Sequence, residues 1–255
     1  MITVKKNIFY TTGMLIFILF AAFMVINGLS VFSKSFTAWF IVLIILAFAI
    51  IVFSTYAIKS NKSKLLLQIL DWVTFLVFSI TTVVFSLMFF LLPARIEKNS
   101  MSPTVKDGDH VLVYHFLYQP KRNDVVIIEI NQADYPLVDE NAFIDANNNV
   151  IEYVYFIKRI VAMPGDTIEF ESFQSHYQMK VNGVVAKVNG EIFQVSNPDF
   201  LINYLDENNK LKTDDYLVFG DNDSRSEDSR NIGPVKGEDI LGKVIFRLYP
   251  FGVIR

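Results

Sequence analysis

The sequence predicts three transmembrane helices followed by a mainly β domain, and three observations carry that reading. The first is an apolar surplus: 52% of the 255 residues are hydrophobic and the mean hydropathy is +0.36, more than an ordinary soluble domain needs. The second is its confinement to three windows without a charged residue, 7–33, 35–58 and 72–94. Each is longer than the roughly 20 residues a helix needs to cross about 30 Å of hydrocarbon. The third is a change of pattern at Arg95, beyond which short apolar or alternating runs sit between turn signals.

The expected spans are about 8–32, 36–58 and 72–93, which makes 1–94 a membrane anchor and 95–255 a separate domain. Lys5 and Lys6 ahead of the first span would also open a secretory signal peptide, but the apolar core of such a peptide is only about 7–15 residues long. The run here is far longer, and no A-x-A cleavage site follows it. Positively charged loops resist translocation. Lys5, Lys6, Lys59, Lys62 and Lys64 on one side, against Lys34 alone on the other, therefore put the N-terminus in the cytoplasm and residues 95–255 outside it. Asp71 abuts Trp72 at the start of the third span and reads as an interfacial residue.

Beyond Arg95, strands are expected over 110–117, 125–130, 151–161, 167–170, 179–188, 216–219 and 240–248, all rich in Val, Ile, Tyr and Phe. Asp107-Gly108, Pro164-Gly165, Asn182-Gly183 and Gly233-Pro234 punctuate them. Two stretches dense in Asn and Asp, at about 131–150 and 189–213, read as polar insertions. There is no internal repeat. The absence of cysteine excludes thiol catalysis and Cys-ligated metals, and leaves an exported domain to hold together by its core alone. A net charge of −3, with no basic stripe interleaved with aromatics, argues against a nucleic-acid partner.

Three clusters could carry chemistry. Ser100-Met101-Ser102-Pro103-Thr104 follows the last apolar run; taken alone, its serine is a turn residue. Lys158 interrupts an apolar strand that runs on through Arg159 to Pro164-Gly165-Asp166; taken alone, it is a lysine that keeps its amine at the surface. Gly220-Asp221-Asn222 through Ser226, Asp228, Ser229 and Arg230 is a polar run that alone reads as a solvated loop.

In this order, and after a membrane span, these segments resemble the type I signal peptidases, membrane-bound serine proteases of the Ser/Lys kind. They match the family's S-M-x-P-T, K-R…P-G-D and G-D-N…S-x-D-S-R…G boxes, and Gly108 to Val113, Gly242-Lys243, Phe246-Arg247 and Tyr249-Pro250 extend the likeness to the C-terminus. The resemblance implies a signal-peptidase-like all-β catalytic domain. It implies Ser100 as nucleophile, Lys158 as general base, and the Ser100 backbone N–H in the oxyanion hole. It also implies Ser226 hydrogen-bonded to the lysine amine, a supporting ion-pair cluster of Asp228, Arg230 and Arg159, and Met101 and Ile157 at the substrate. For the two charges Asp228 and Arg230, plain structural support is the simpler reading. No metal or cofactor is implied. The implied partners are preproteins bearing signal peptides, cut after A-x-A-like sites, together with the lipid bilayer and the export machinery.

The physical chemistry agrees. A serine hydroxyl needs a neighbouring base, and a lysine near pKa 10.4 becomes one at neutral pH only when burial lowers it. Relatives in archaea and the endoplasmic reticulum carry His at the base position, whereas His110, His115 and His176 lie elsewhere, so the bacterial type fits better. Two positions depart from the pattern. Lys98 stands where relatives have serine or glycine, and is the second candidate for the oxyanion hole; Asp223 stands where many have arginine. Eight residues from Leu92 reach at most about 28 Å, at roughly 3.5 Å each, which tethers Ser100 near the membrane face. Two other readings remain: a non-catalytic membrane-anchored accessory protein of the same fold, opposed by the intact Ser100 and Lys158, and a self-cleaving repressor, opposed by the apolar helices.

Overall fold

A computed structural model describes residues 2–26, 34–59, 64–145, 147–188, 190–223, 226–249 and 251–254. The chain forms two compact units, Met1–Leu91 and Leu92–Arg255.

The first unit holds helices α1 (Ile2–Ile26), α2 (Lys34–Lys59) and α3 (Lys64–Phe89). No proline occurs before Pro93, so nothing interrupts their backbone ladders. Aromatic rings join α1 to α3: Phe17 stacks on Phe85 at 4.4 Å between centroids, and Gly13 admits the Phe78 ring where a Cβ would lie 2.9 Å from it. The outward side chains are apolar as well, among them Leu19, Leu43, Phe53 and Ile80. The hydroxyls of Thr74, Thr81, Thr82 and Ser86 donate to the carbonyls of Leu70, Val77, Phe78 and Thr82, one helical turn back, so that no hydroxyl of this set needs water. Among the described residues one helical stretch, Gln68–Leu87, is long and apolar enough to cross a membrane; the apolar stretches of the other two helices, Phe9–Phe20 and Ile41–Ser54, are shorter. Residues 27–32 of the first expected span, and Lys62, lie outside the described residues.

The expected third span runs too far. Its helix ends at Phe89 and the chain is extended from Leu91 to Arg95, because Pro93 lacks an N–H and biases Leu92 away from helical dihedrals.

That extended segment is β1 (Leu91–Arg95) of the second unit's main sheet. It is followed by β2 (His110–Tyr114), β3 (Val125–Asn131), β4 (Tyr153–Ala162), β5 (Ile168–Phe173), β6 (His176–Val181), β7 (Val184–Val185), β8 (Lys187–Val188), β9 (Glu191–Ile192), β10 (Gln194–Val195), α4 (Pro198–Ile202), β11 (Asp215–Phe219), α5 (Ser229–Ile232), β12 (Val235–Lys236), β13 (Ile240–Tyr249) and β14 (Gly252–Val253). The main sheet runs β1-β2-β13-β3-β4-β11-β12, with β14 on β13; β5, β6, β7 and β10 form a second, smaller sheet. Pro93 sits in the edge strand, where a missing donor leaves no gap in the ladder.

The expected strand 179–188 is divided among three, β6, β7 and β8. Asn182 takes a left-handed φ of 51° and Gly183 one of 77°, so the Asn-Gly pair makes a hairpin between β6 and β7. The insertions are also less loop-like than their composition suggests. Tyr135, Val138 and Phe143 of the first pack against Val126, Ile160 and Val218, while Phe193, Val195, Leu201 and Leu211 of the second pack against Val161, Met179 and Phe219. Single apolar residues spaced among Asn and Asp bring these segments into the core without a periodic signal.

Strand β4 lies between β3 and β11 and contributes to three apolar clusters of the second unit, through Ile157, Ile160 and Val161. From Ile157 to Ala162 every residue is buried, on both faces of the strand. A lysine in that stretch has nowhere to reach water.

Candidate active site

Lys158 sits in this double-covered half of β4, opposite Val126 of β3 and on the same face as Phe156 and Ile160. It is 4% exposed, and its amine lies 5.1 Å from the centre of the Phe156 ring. Ser100 comes from the turn-rich segment joining β1 to β2. Its Oγ lies 3.1 Å from Lys158 Nζ, hydrogen-bond distance for a nucleophile and base. Burial draws the Lys158 amine down to about 8; Asp228 and Glu227 pull it back up, while Lys98 and Arg230 add to the depression. Desolvation wins, and the amine is tuned toward neutrality.

The segment after β11 closes over this pair, since β11 is the antiparallel neighbour of β4, with Phe219 opposite Arg159. Gly220 approaches so closely that a Cβ there would lie 2.5 Å from the Ser100 carbonyl oxygen and 2.1 Å from Ser226 Oγ. Asn222 donates its backbone N–H to that carbonyl at 2.9 Å and its side-chain amide to Asn99 O at 3.0 Å. Asp221 takes a two-pronged bond from Arg159, at 2.9 and 2.7 Å, and also accepts from Thr104 Oγ1. One Gly-Asp-Asn tripeptide thus joins the serine segment to the lysine strand.

The expected supporting cluster is divided. Arg159 pairs with Asp221 and donates to Asn123 O. Arg230 pairs with Asp228, and also with Asp223, the residue that departs from the family pattern. Asp228 caps α5, accepts from Gly220 N at 2.9 Å, and is fully buried; burial pushes its carboxyl up, against the pull of the Gly220 N–H. Burial draws Arg230 down to about 10.

Ser226 Oγ is buried beside Asp228, close enough to favour its ionised form, but it has no partner with hydrogen-bond geometry among the described residues. The bond to Lys158 that the resemblance implies is therefore not made in this structure. Ser224 and Arg225, in the same segment, and Pro250 lie outside the described residues.

Lys98 has a left-handed φ of 71°, and its backbone N–H donates to Asp107 Oδ1 at 3.1 Å, which engages that donor away from an oxyanion. The Ser100 N–H has no acceptor among the described residues. Met101 and Ile157 are buried, 1% and 7% exposed, in the cluster that also contains Val105, Val113 and Val244, and so present no open surface here. His115 is buried after β2 and His110 begins it; neither they nor His176 hydrogen-bonds Ser100. Among the described residues no three His, Asp or Glu side chains gather as metal ligands.

Asp221, Asn222 and Thr104 were in view in the sequence as motif letters, without a physical role. Glu227 was not singled out at all: its carboxylate accepts from Asp139 N at 3.1 Å, which ties the first insertion to the active-site segment. No local signal announces a contact between residues so far apart in the chain.

Against known proteins, the family description "Signal peptidase, peptidase S26" matches residues 69–249. Signal peptidase I of Bacillus licheniformis is 25% identical over 77% of this chain and 96% of its own length. Signal peptidase IB of Staphylococcus aureus is 27% identical over 72% of this chain and 91% of its own. A crystal structure of a signal peptidase I from Enterococcus faecalis aligns with 50% of this chain and 97% of that one at 20% identity and a TM-score of 0.30, too loose for residue-level comparison.

Proposed function

Because the chain belongs to the signal peptidase family, peptidase S26, we propose that it cleaves signal peptides from preproteins after A-x-A-like sites, with Ser100 as nucleophile and neutral Lys158 as general base. The chain is a serine peptidase. One observation carries the assignment of the pair: a lysine amine almost wholly removed from water, 3.1 Å from the serine oxygen.

Attack of Ser100 Oγ on the scissile carbonyl transfers its proton to Lys158 Nζ, and the tetrahedral oxyanion takes the Ser100 N–H. The lysine, now an ammonium, returns the proton to the leaving amine, and an acyl-enzyme remains. Water then enters and Lys158 accepts its proton; on collapse of the second tetrahedral intermediate the ammonium returns that proton to Ser100 Oγ, which frees the acid and restores the neutral amine. Asp221 and Asp228, each with an arginine, hold the segment in register. Ser226 Oγ, buried beside Asp228 and without a partner among the described residues, is the hydroxyl we assign to orienting the amine.

The three helices, α1, α2 and an α3 that ends at Phe89, span the bacterial cytoplasmic membrane with the N-terminus inside, and residues 95–255 face the other side. Three continuous helices with apolar outer faces support this arrangement. A signal peptide lying in the same bilayer meets the enzyme at raised effective concentration, with the bilayer and the export machinery as surroundings.

Purified protein in detergent, given a preprotein with an A-x-A site, should release the mature chain. Ser100→Ala and Lys158→Ala should each abolish release while folding normally, because removing either member disables the pair. Processing by a folded Lys158→Ala protein would rule the dyad out.

A further inference from the structure

We infer that Asn222 is a positioning residue that aims the Ser100 backbone N–H at the developing oxyanion. The inference rests on the reading of Ser100 as nucleophile. It follows from the planarity of one peptide unit. The carbonyl of Asn99 and the N–H of Ser100 belong to the same trans peptide, so they point in opposite directions from one plane. Fixing the carbonyl fixes the direction of the N–H.

Two donors fix that carbonyl: Asn222 Nδ2 at 3.0 Å and Ser102 N at 3.2 Å. The amide orientation is set by chemistry, since a carbonyl only accepts and must face the NH2 end of Asn222. The next peptide is held as well, by Asn222 N on Ser100 O at 2.9 Å. Asn222 therefore grips the carbonyls on both sides of the Ser100 Cα. The grip is itself anchored, because the preceding residue, Asp221, is bound by Arg159 and Thr104 and is buried. The Ser100 N–H, by contrast, bonds to nothing among the described residues. Of the two donors that the resemblance offers, Lys98 N is held by Asp107, and the Ser100 N–H stays open to the intermediate.

An alanine at 222 keeps the backbone donor and removes only the side-chain arm. An aspartate keeps the shape but turns a donor into an acceptor facing Asn99 O. Polarity and packing are thereby separated. Loss of a direct oxyanion donor costs about 10²–10³ in kcat; loss of one of two groups that orient it should cost less, about 10- to 100-fold.

The test uses the full-length protein in detergent, a preprotein substrate, and a peptide aldehyde that forms a hemiacetal with the serine and so resembles the tetrahedral intermediate. Asn222→Ala should lower kcat about 10- to 100-fold at high pH, leave KM and the pH midpoint unchanged, and weaken aldehyde binding by the same factor. Affinity for an uncleaved product peptide should hold. Asn222→Asp, with a melting temperature near wild type, should be the slower of the two at that pH. Rates within about threefold of wild type, a shifted pH midpoint, or equal losses for aldehyde and product peptide would overturn the inference. Ser100→Ala run alongside separates the two claims. A dead Ser100→Ala beside a normal Asn222→Ala removes the role of Asn222 alone, whereas an active Ser100→Ala removes the nucleophile and this inference with it.

Discussion

Lys158 faces a conflict between solvation and charge. Phe156 and Ile160 line its face of β4, while Asp228 and Glu227 stabilise its ammonium. Burial prevails and sets the amine at about 8. A lysine at its ordinary 10.5 would be neutral about once in 3,000 at pH 7, against about one in ten here, a gain of about 300-fold in competent base. Since the base must be unprotonated, processing should rise with pH through about 8 and level off above it. A rate profile measured from pH 6 to 11 checks this, and a midpoint near 10.5 would mean a solvated lysine.

The same burial has a cost in stability, with a definite sign. The amine titrates at about 8 when folded and at 10.5 when unfolded, so the unfolded chain binds more protons between those values and stability rises with pH across that window. Below about pH 8 the folded protein carries the buried charge in full, a penalty of about 3 kcal/mol. Lys158→Met should therefore be inactive yet more stable than wild type at pH 7, with the difference shrinking toward pH 10.5. Thermal melting of the two proteins at both pH values measures it.

At the scale of elements, the strands that could be read from the sequence were β2, β3, β4, β5, β6, β11 and β13, each overlapping a run rich in Val, Ile, Tyr or Phe between turn signals. What escaped was set by contacts distant in the chain. β1 was hidden because Leu91 and Leu92 read as the end of an apolar helix until Pro93 was allowed to end it. The core residues Tyr135 and Phe143 were hidden by the polar residues around them. In the site, the serine, the lysine and the motif letters were legible; the division of the charges into Arg159–Asp221 and Arg230–Asp228 was not, because sequence does not reveal which carboxylate a buried arginine will meet. Gly220 shows how tightly the elements fit. Its residue type was visible as a motif letter, but its reason is the 2.5 Å that would separate a Cβ from the Ser100 carbonyl. A backbone oxygen cannot swing aside as a flexible side chain does, so Gly220→Ala must push the serine segment away from Lys158. Activity should fall at least about 100-fold, in line with the penalty for misplacing a reacting group by about 1 Å. Kinetics on the folded variant would test it; near-normal turnover would mean that the segment is freer than the contacts imply.

For the molecule as a whole, the test is which side of the membrane the second unit occupies. In the proposed topology the lysine asymmetry, Lys5, Lys6, Lys59, Lys62 and Lys64 against Lys34, would keep the N-terminus inside, and three crossings would put residues 95–255 outside. The fold sharpens where a protease should cut. The first insertion is anchored at several points, because Tyr135, Val138 and Phe143 are buried and Asp139 is tied to Glu227. Its tip is different: Asn147, Asn148 and Asn149 turn through a left-handed Asn148, and Val150 is 84% exposed. Exposed tips of this kind are where nicking concentrates. A protease site placed at 147–149 should thus be cut when enzyme is added to intact cells or spheroplasts. A site placed before Lys5 should be cut only after lysis. Two crossings in place of three would reverse the first result and leave the second unchanged, so the pair of sites together counts the spans by parity.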